Sequence, residues 1–214
     1  MKQLFVIMGV FFLFGCNSKN RLPQDDIDLL TKLNFDVEIF ADIKSSLDSN
    51  LKQLPAIDKE TGEVLSEKYA GVYAPMVEER AIELVKANKE KFRSRGYLIF
   101  MMEGENDSRI LSVIKGTDEL DILRYRRTDG INYGLTNADV VSKIAEWKDK
   151  YGIVVLGCSR DWLQIEFNRL PANLDEFADE VYKFCPDSVD QGVGDVSALK
   201  LAIQEMNGLW LWWD

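Results

Sequence analysis

The side chains best suited to chemistry gather near the C-terminus, in the run Cys185-Pro186-Asp187-Ser188-Val189-Asp190-Gln191-Gly192-Val193-Gly194, with Asp195 next. Asp187, Asp190 and Asp195 are close enough in sequence to coordinate a hard cation, but their spacing does not match the calcium-binding loop, which also requires a terminal glutamate. Cys185 could act as a nucleophile if a lysine or a helix N-terminus lowered its pKa. Asp187, Asp190 and Glu166 offer carboxylates for acid–base work, the chemistry of a hydrolase. A structural reading explains the same residues. Pro186 stops a helix, and aspartate and serine bond to their own turn backbone. Gly192 and Gly194 permit positive φ, and Asp195 caps the next helix. No metal and no cofactor is expected.

Composition narrows the choice. The 214 residues include no histidine, which excludes Ser-His-Asp and Cys-His catalysis, histidine-ligated zinc and histidine pH switching. Acids outnumber bases 36 to 26, a formal charge of −10. That field repels phosphate backbones, so nucleic acid is not an expected partner. Glycine-rich phosphate loops and serine-nucleophile motifs are also missing from the sequence. Two classes remain: a non-catalytic protein-binding module, with an immunity-type inhibitor of a basic toxin as one version, and a histidine-free hydrolase. A deep pocket around Asp187, Asp190 or Glu166 would favour the hydrolase. A flat apolar patch would favour the binding module.

The first residues read as an address. Lys2 precedes an apolar stretch from Leu4 to Phe14, which is too short to span a bilayer and fits a secretory leader. It closes on Leu13-Phe14-Gly15-Cys16, which resembles the bacterial lipobox. That resemblance implies cleavage after Gly15 and acylation of Cys16, leaving the chain lipid-anchored to a bacterial membrane with its domain outside the cytoplasm. An ordinary signal peptide, or a tail that stays on, is the alternative. The expected organisation is therefore a leader over 1–15, a tether over 16–24, an N-terminal α+β half over 25–119 and a C-terminal domain over 120–214. Export would permit a disulfide between Cys158 and Cys185; two buried free thiols are the other option.

These residues need elements to position them. Apolar spacing predicts helices over Asp25–Asn34, from Pro75 to about Arg95, Asn137–Lys150, from Asn173 to Cys185, and from Asp195 to Met206. Thr136, Asn173 and Asp195 are expected caps. Strands are expected at Phe35–Ala41, Tyr97–Glu103, Arg109–Lys115, Leu120–Arg126, Ile153–Cys158, Trp162–Asn168 and Leu209–Trp213, with a turn at Asp58–Glu63. The unbroken apolar character of Leu209–Trp213 predicts an interior strand. The result is an α+β fold with a largely antiparallel sheet and helices packed on it. From Leu120 onward the element order resembles a split βαββαβ, ferredoxin-like arrangement.

Phe184-Cys185-Pro186-Asp187, then Asp190-Gln191-Gly192, a helix and the terminal Trp212-Trp213-Asp214 together resemble an uncharacterised bacterial family, domain of unknown function 4253. Trp147 and Tyr151-Gly152 add to the likeness, which covers Leu120–Asp214. The family carries no established activity, so the resemblance implies a domain without implying a reaction.

Overall fold

A computed structural model describes residues 21–58 and 60–214. The leader and Cys16 lie outside the described residues. Helices α1 (Gln24–Lys32) and α2 (Val37–Ile43) lead into strands β1 (Lys52–Ile57) and β2 (Val64–Pro75). Helix α3 (Glu78–Ser94) and the hairpin β3 (Tyr97–Glu103) and β4 (Arg109–Lys115) follow. Then come α4 (Leu120–Arg126), α5 (Asn137–Tyr151), β5 (Ile153–Cys158), β6 (Trp162–Phe167), α6 (Leu174–Phe184), α7 (Val196–Met206) and β7 (Gly208–Trp212).

The described strands form one seven-stranded sheet in the order β1-β2-β4-β3-β5-β6-β7. All neighbours are antiparallel except β3 and β5, which are parallel through the pair Met101 and Gly157. The sheet separates two apolar layers. Ile99, Met101, Leu111, Val113, Val154 and Leu156 face α1–α3. Leu98, Phe100, Ile110, Ile114, Val155 and Leu163 face the core built with α4–α7. Helices on both faces explain why β3 and β5 read as unbroken apolar runs.

The parallel seam is narrow and has its own fastening. Glu119, just ahead of α4, is buried. One of its carboxylate oxygens accepts from the Val155 N–H at 2.9 Å and the other from Arg93 of α3 at 2.9 Å. Burial raises the pKa of this carboxyl despite those donors. Gly157 completes the seam, since a Cβ there would lie 2.7 Å from the Met101 carbonyl oxygen.

The α+β class and the largely antiparallel sheet hold, and four details differ. Phe35–Ala41 is not a strand: Asp36 accepts the Glu38 N–H and starts α2, which buries Ile39, Phe40 and Ile43 at helical spacing. Leu120–Arg126 is not a strand either: Asp118 accepts the Leu120 N–H, and α4 buries Leu120, Ile122 and Leu123. The expected helix start at Pro75 lies instead at Glu78, because β2 runs on through Pro75. Finally, among the described residues β7 is an edge strand paired only with β6, not an interior one. The βαββαβ element order survives with β4 as its first strand. The ferredoxin-like strand order does not, because β3 lies between β4 and β5 and the last strand joins β6.

Candidate functional site

Helix α6 starts where the Asn173 side chain accepts the Glu176 N–H, and it presents Phe177, Ala178 and Val181 to the core. It ends at Cys185, whose N–H reaches Val181 O at 2.8 Å. Proline cannot continue the helical ladder. The chain instead winds Ser188–Val193 into a single wide π-type turn, closed by Gly194 at φ 92°. The Asp195 side chain then accepts the Ala198 N–H and starts α7.

This turn covers the outer edge of β7. The Cys185 thiol donates to Trp212 O at 2.9 Å. Ser188 Oγ donates to Cys185 Sγ at 3.1 Å and lies 3.5 Å from Trp210 O. Gly192 sits against the Trp212 ring, and a Cβ there would come within 2.6 Å of Cη2. An apolar edge strand left open would invite pairing with other chains, and covering it removes that hazard. The same arrangement explains how Leu209–Trp213 can be apolar throughout at an edge. Leu209, Leu211 and Trp213 enter the core, while Trp210 and Trp212 are half-buried on the opposite side.

Asp187 holds the cap in place. It is buried, and its two oxygens take three donors: Tyr133 Oη at 2.5 Å, Gln191 Nε2 at 2.9 Å and the Asp214 N–H at 2.9 Å. Burial works against the charge, but these donors prevail and hold the carboxyl below its ordinary range. The hydrogen bond to Asp187 in turn pushes the Tyr133 phenol up to about 12.

The cap thus joins Cys185, Asp187 and Gln191 in one bonded unit. Asp190 is not part of it: this exposed carboxylate accepts from Tyr182 Oη at 3.0 Å. Glu166 is elsewhere, paired with Lys86 at 2.8 Å and with Lys89 at 3.8 Å on α3. Glu166 is therefore not assembled with Asp187 and Asp190 into one group of carboxylates. Burial raises the Cys185 pKa and pushes that of Cys158 up to about 11, so neither thiol is primed as a nucleophile. Both are buried free thiols. Among the described residues, no cluster of three or more acids or cysteines could hold a metal ion.

Two members of the unit escaped the sequence reading. Tyr133 sits in a polar loop with no neighbour in sequence to mark it, and Asp214 contributes only its backbone. A further polar chain, Arg126 donating to Ser159 and Ser159 to Glu103 at 2.9 and 2.7 Å, links α4 to the β5–β6 turn.

The packing makes Gly192 a sensitive position. Gly192→Ala should lower stability by about 1–3 kcal/mol, the usual effect of overpacking a tight contact. Urea unfolding of the full chain followed by tryptophan emission measures this, and an unchanged midpoint would mean the Trp212 ring simply moves aside.

No curated protein and no solved structure matches the chain. A family model does, over residues 110–214. The matched segment opens inside β4, upstream of the boundary expected at Leu120, and takes in α4–α7, the cap and β5–β7. The C-terminal half of this chain, with its capped sheet edge, matches the family described as Domain of unknown function (DUF4253).

Proposed function

We propose that the protein is a non-catalytic protein-binding module, held to the bacterial cell envelope by lipid on Cys16. One observation carries the binding reading. The cap spends the polar groups of Cys185, Asp187 and Gln191 on its own bonds, while apolar side chains beside it face outward. Ile131 is 65% exposed, Val193 39% and Tyr133 40%. Tyr133 and Val193 belong to the two segments that Asp187 ties together, and Ile131 shares the short Ile131–Tyr133 turn. Apolar side chains gathered around a rigid support are what a recognition patch offers. The exposed Asp190 beside them and the net charge of −10 suit a basic protein partner. The anchoring reading rests on the charged and apolar leader that ends at Cys16.

Each part has its own test. A photo-crosslinking residue placed at Ile131 or Val193 should give a discrete protein adduct in intact cells, and the same residue at Leu201, exposed on α7, should not. Equal adducts at all three positions, or none at the cap, would overturn the binding reading. Cys16→Ser should abolish fatty-acid labelling and move the chain out of the membrane fraction. Retention of this variant in the membrane with its leader cleaved would overturn the anchor.

A further inference from the structure

The β1–β2 end of the sheet carries a different feature. The β1–β2 hairpin leans over α4, where the Tyr125 hydroxyl donates to Pro55 O at 2.8 Å. Beneath it lies a cavity of about 330 Å³ with mostly apolar walls, among them Leu54, Tyr73, Met102, Ile110 and Tyr125. A smaller recess of about 90 Å³ adjoins it, lined by Arg126, Arg127, Arg160, Thr61 and Gly62. Ile57, Val64 and Arg126 line both spaces. Ile57 and Val64 are the last facing pair of the hairpin, so the two spaces share one wall.

The recess concentrates cations in a chain whose overall charge is strongly negative. Asp129 stands 3.8 Å from Arg160. Glu103 reaches Arg126 only through the Ser159 hydroxyl. Asp58 accepts the Glu60 and Thr61 N–H groups of its own turn with its carboxylate, which the Arg127 charge also helps to keep ionised, and offers Arg127 its backbone carbonyl at 3.4 Å. Arg126 Nε is buried with no hydrogen-bond partner among the described residues. A buried guanidinium N–H without an acceptor is costly, and an incoming oxyanion is one way to satisfy it. Guanidinium groups also match carboxylate and phosphate oxygens in geometry. The apolar cavity is at the lower end of the size range typical of small-molecule sites.

We infer that these two spaces form one site for a small anionic amphiphile, with an oxyanion head on Arg126, Arg127 and Arg160 and an apolar body against Leu54, Tyr73, Met102 and Ile110. The site goes beyond the protein-binding reading and does not depend on it, since it shares no residue with the cap. The head group is a carboxylate or a phosphate, and titration separates the two.

The test is calorimetric titration of the full chain with octyl phosphate, octanoate, octanol and inorganic phosphate, each below any micelle-forming concentration. At least one of octyl phosphate and octanoate should bind with a stoichiometry of one, tenfold or more tighter than both octanol and inorganic phosphate. The tighter of the two identifies the head. Arg160→Gln should weaken that binding about tenfold without affecting the fold, because the Arg160 side chain is 73% exposed. Arg126→Gln should weaken it at least as much. Val64→Trp, at an exposed position on the shared wall, should obstruct the site and weaken the amphiphile. Octanol binding as tightly as either anion would overturn the proposal. So would anion binding indifferent to Arg160→Gln and Arg126→Gln, inorganic phosphate equal to octyl phosphate, or no binding at all.

Discussion

Asp187→Ala should lower the stability of the full chain by about 3 kcal/mol, because the buried carboxylate satisfies three donors and hydrogen bonds to charged groups are worth about 1.5–3 kcal/mol each before relaxation. The loss would extend beyond Asp187. Tyr133, Gln191 of the π-type turn and the chain at Asp214 all donate to this side chain, so its removal should loosen the cap over β7. Asp187→Asn should cost less, since an amide keeps one acceptor while turning a donor toward one of the three donors.

The pH dependence separates charge from shape. The Asp187 carboxyl titrates below its ordinary value in the fold. Its stabilisation is therefore complete above the unfolded pKa of about 3.9 and disappears as pH falls through the folded value. Asp187→Asn has no such contribution to lose. The stability gap between the two proteins should be constant from neutral pH down to about pH 5 and close at lower pH. Guanidinium unfolding at a series of pH values measures it. A gap that persists unchanged well below pH 3 would assign the effect to packing, and a variant as stable as the parent would show that the cap does not depend on this carboxylate.

The cap was half legible from the residues alone. Proline after a helix, glycines in a turn and an aspartate ahead of a new helix are local signals, and Pro186, Gly194 and Asp195 act as such signals imply. The purpose of the turn was not legible, because covering an edge depends on which strand lies at the edge, and strand order is a property of the whole sheet. The same limit explains β7. An all-apolar strand says that both faces and any free edge are shielded, without saying whether a neighbouring strand or a loop does the shielding. The two segments expected as strands, Phe35–Ala41 and Leu120–Arg126, are short, and the helices found there, Val37–Ile43 and Leu120–Arg126, have seven residues each. Over seven residues, alternation and helical spacing fit nearly the same apolar positions. What decided each was a single side-chain bond, Asp36 to the Glu38 N–H and Asp118 to the Leu120 N–H. Longer segments with clear caps, such as α5 with its Thr136–Asp139 capping box, left no such ambiguity. The basic recess was legible only in part, for a different reason. Arg126 and Arg127 lie next to each other, but Arg160 and Thr61 come from distant turns, and only the fold brings them together.

The edge position of β7 changes what its removal should do. Deleting Leu209–Asp214 strips Leu209, Leu211 and Trp213 from the core, leaves β6 without its partner, and takes from the cap the carbonyls that meet Cys185 and Ser188 and the N–H that meets Asp187. Truncating a single buried leucine or tryptophan costs about 2–5 kcal/mol, against a total stability of about 5–15 kcal/mol for a typical domain. The deletion should therefore abolish cooperative unfolding, as read by circular dichroism on heating, and drive the chain into the insoluble fraction. Two point variants keep the argument testable without a lost fold. Leu211→Ala should cost about 3 kcal/mol, because Leu211 is fully buried on the α4–α7 side. Trp210→Ala removes a larger side chain, but one that is half-buried and packed beside Trp162 with ring centroids 6.0 Å apart, and should cost less. An interior strand covered on both faces would reverse that order. A larger loss at Trp210 than at Leu211 would mean that β7 sits deeper in the assembled protein than an edge strand, with a partner laid over its tryptophans.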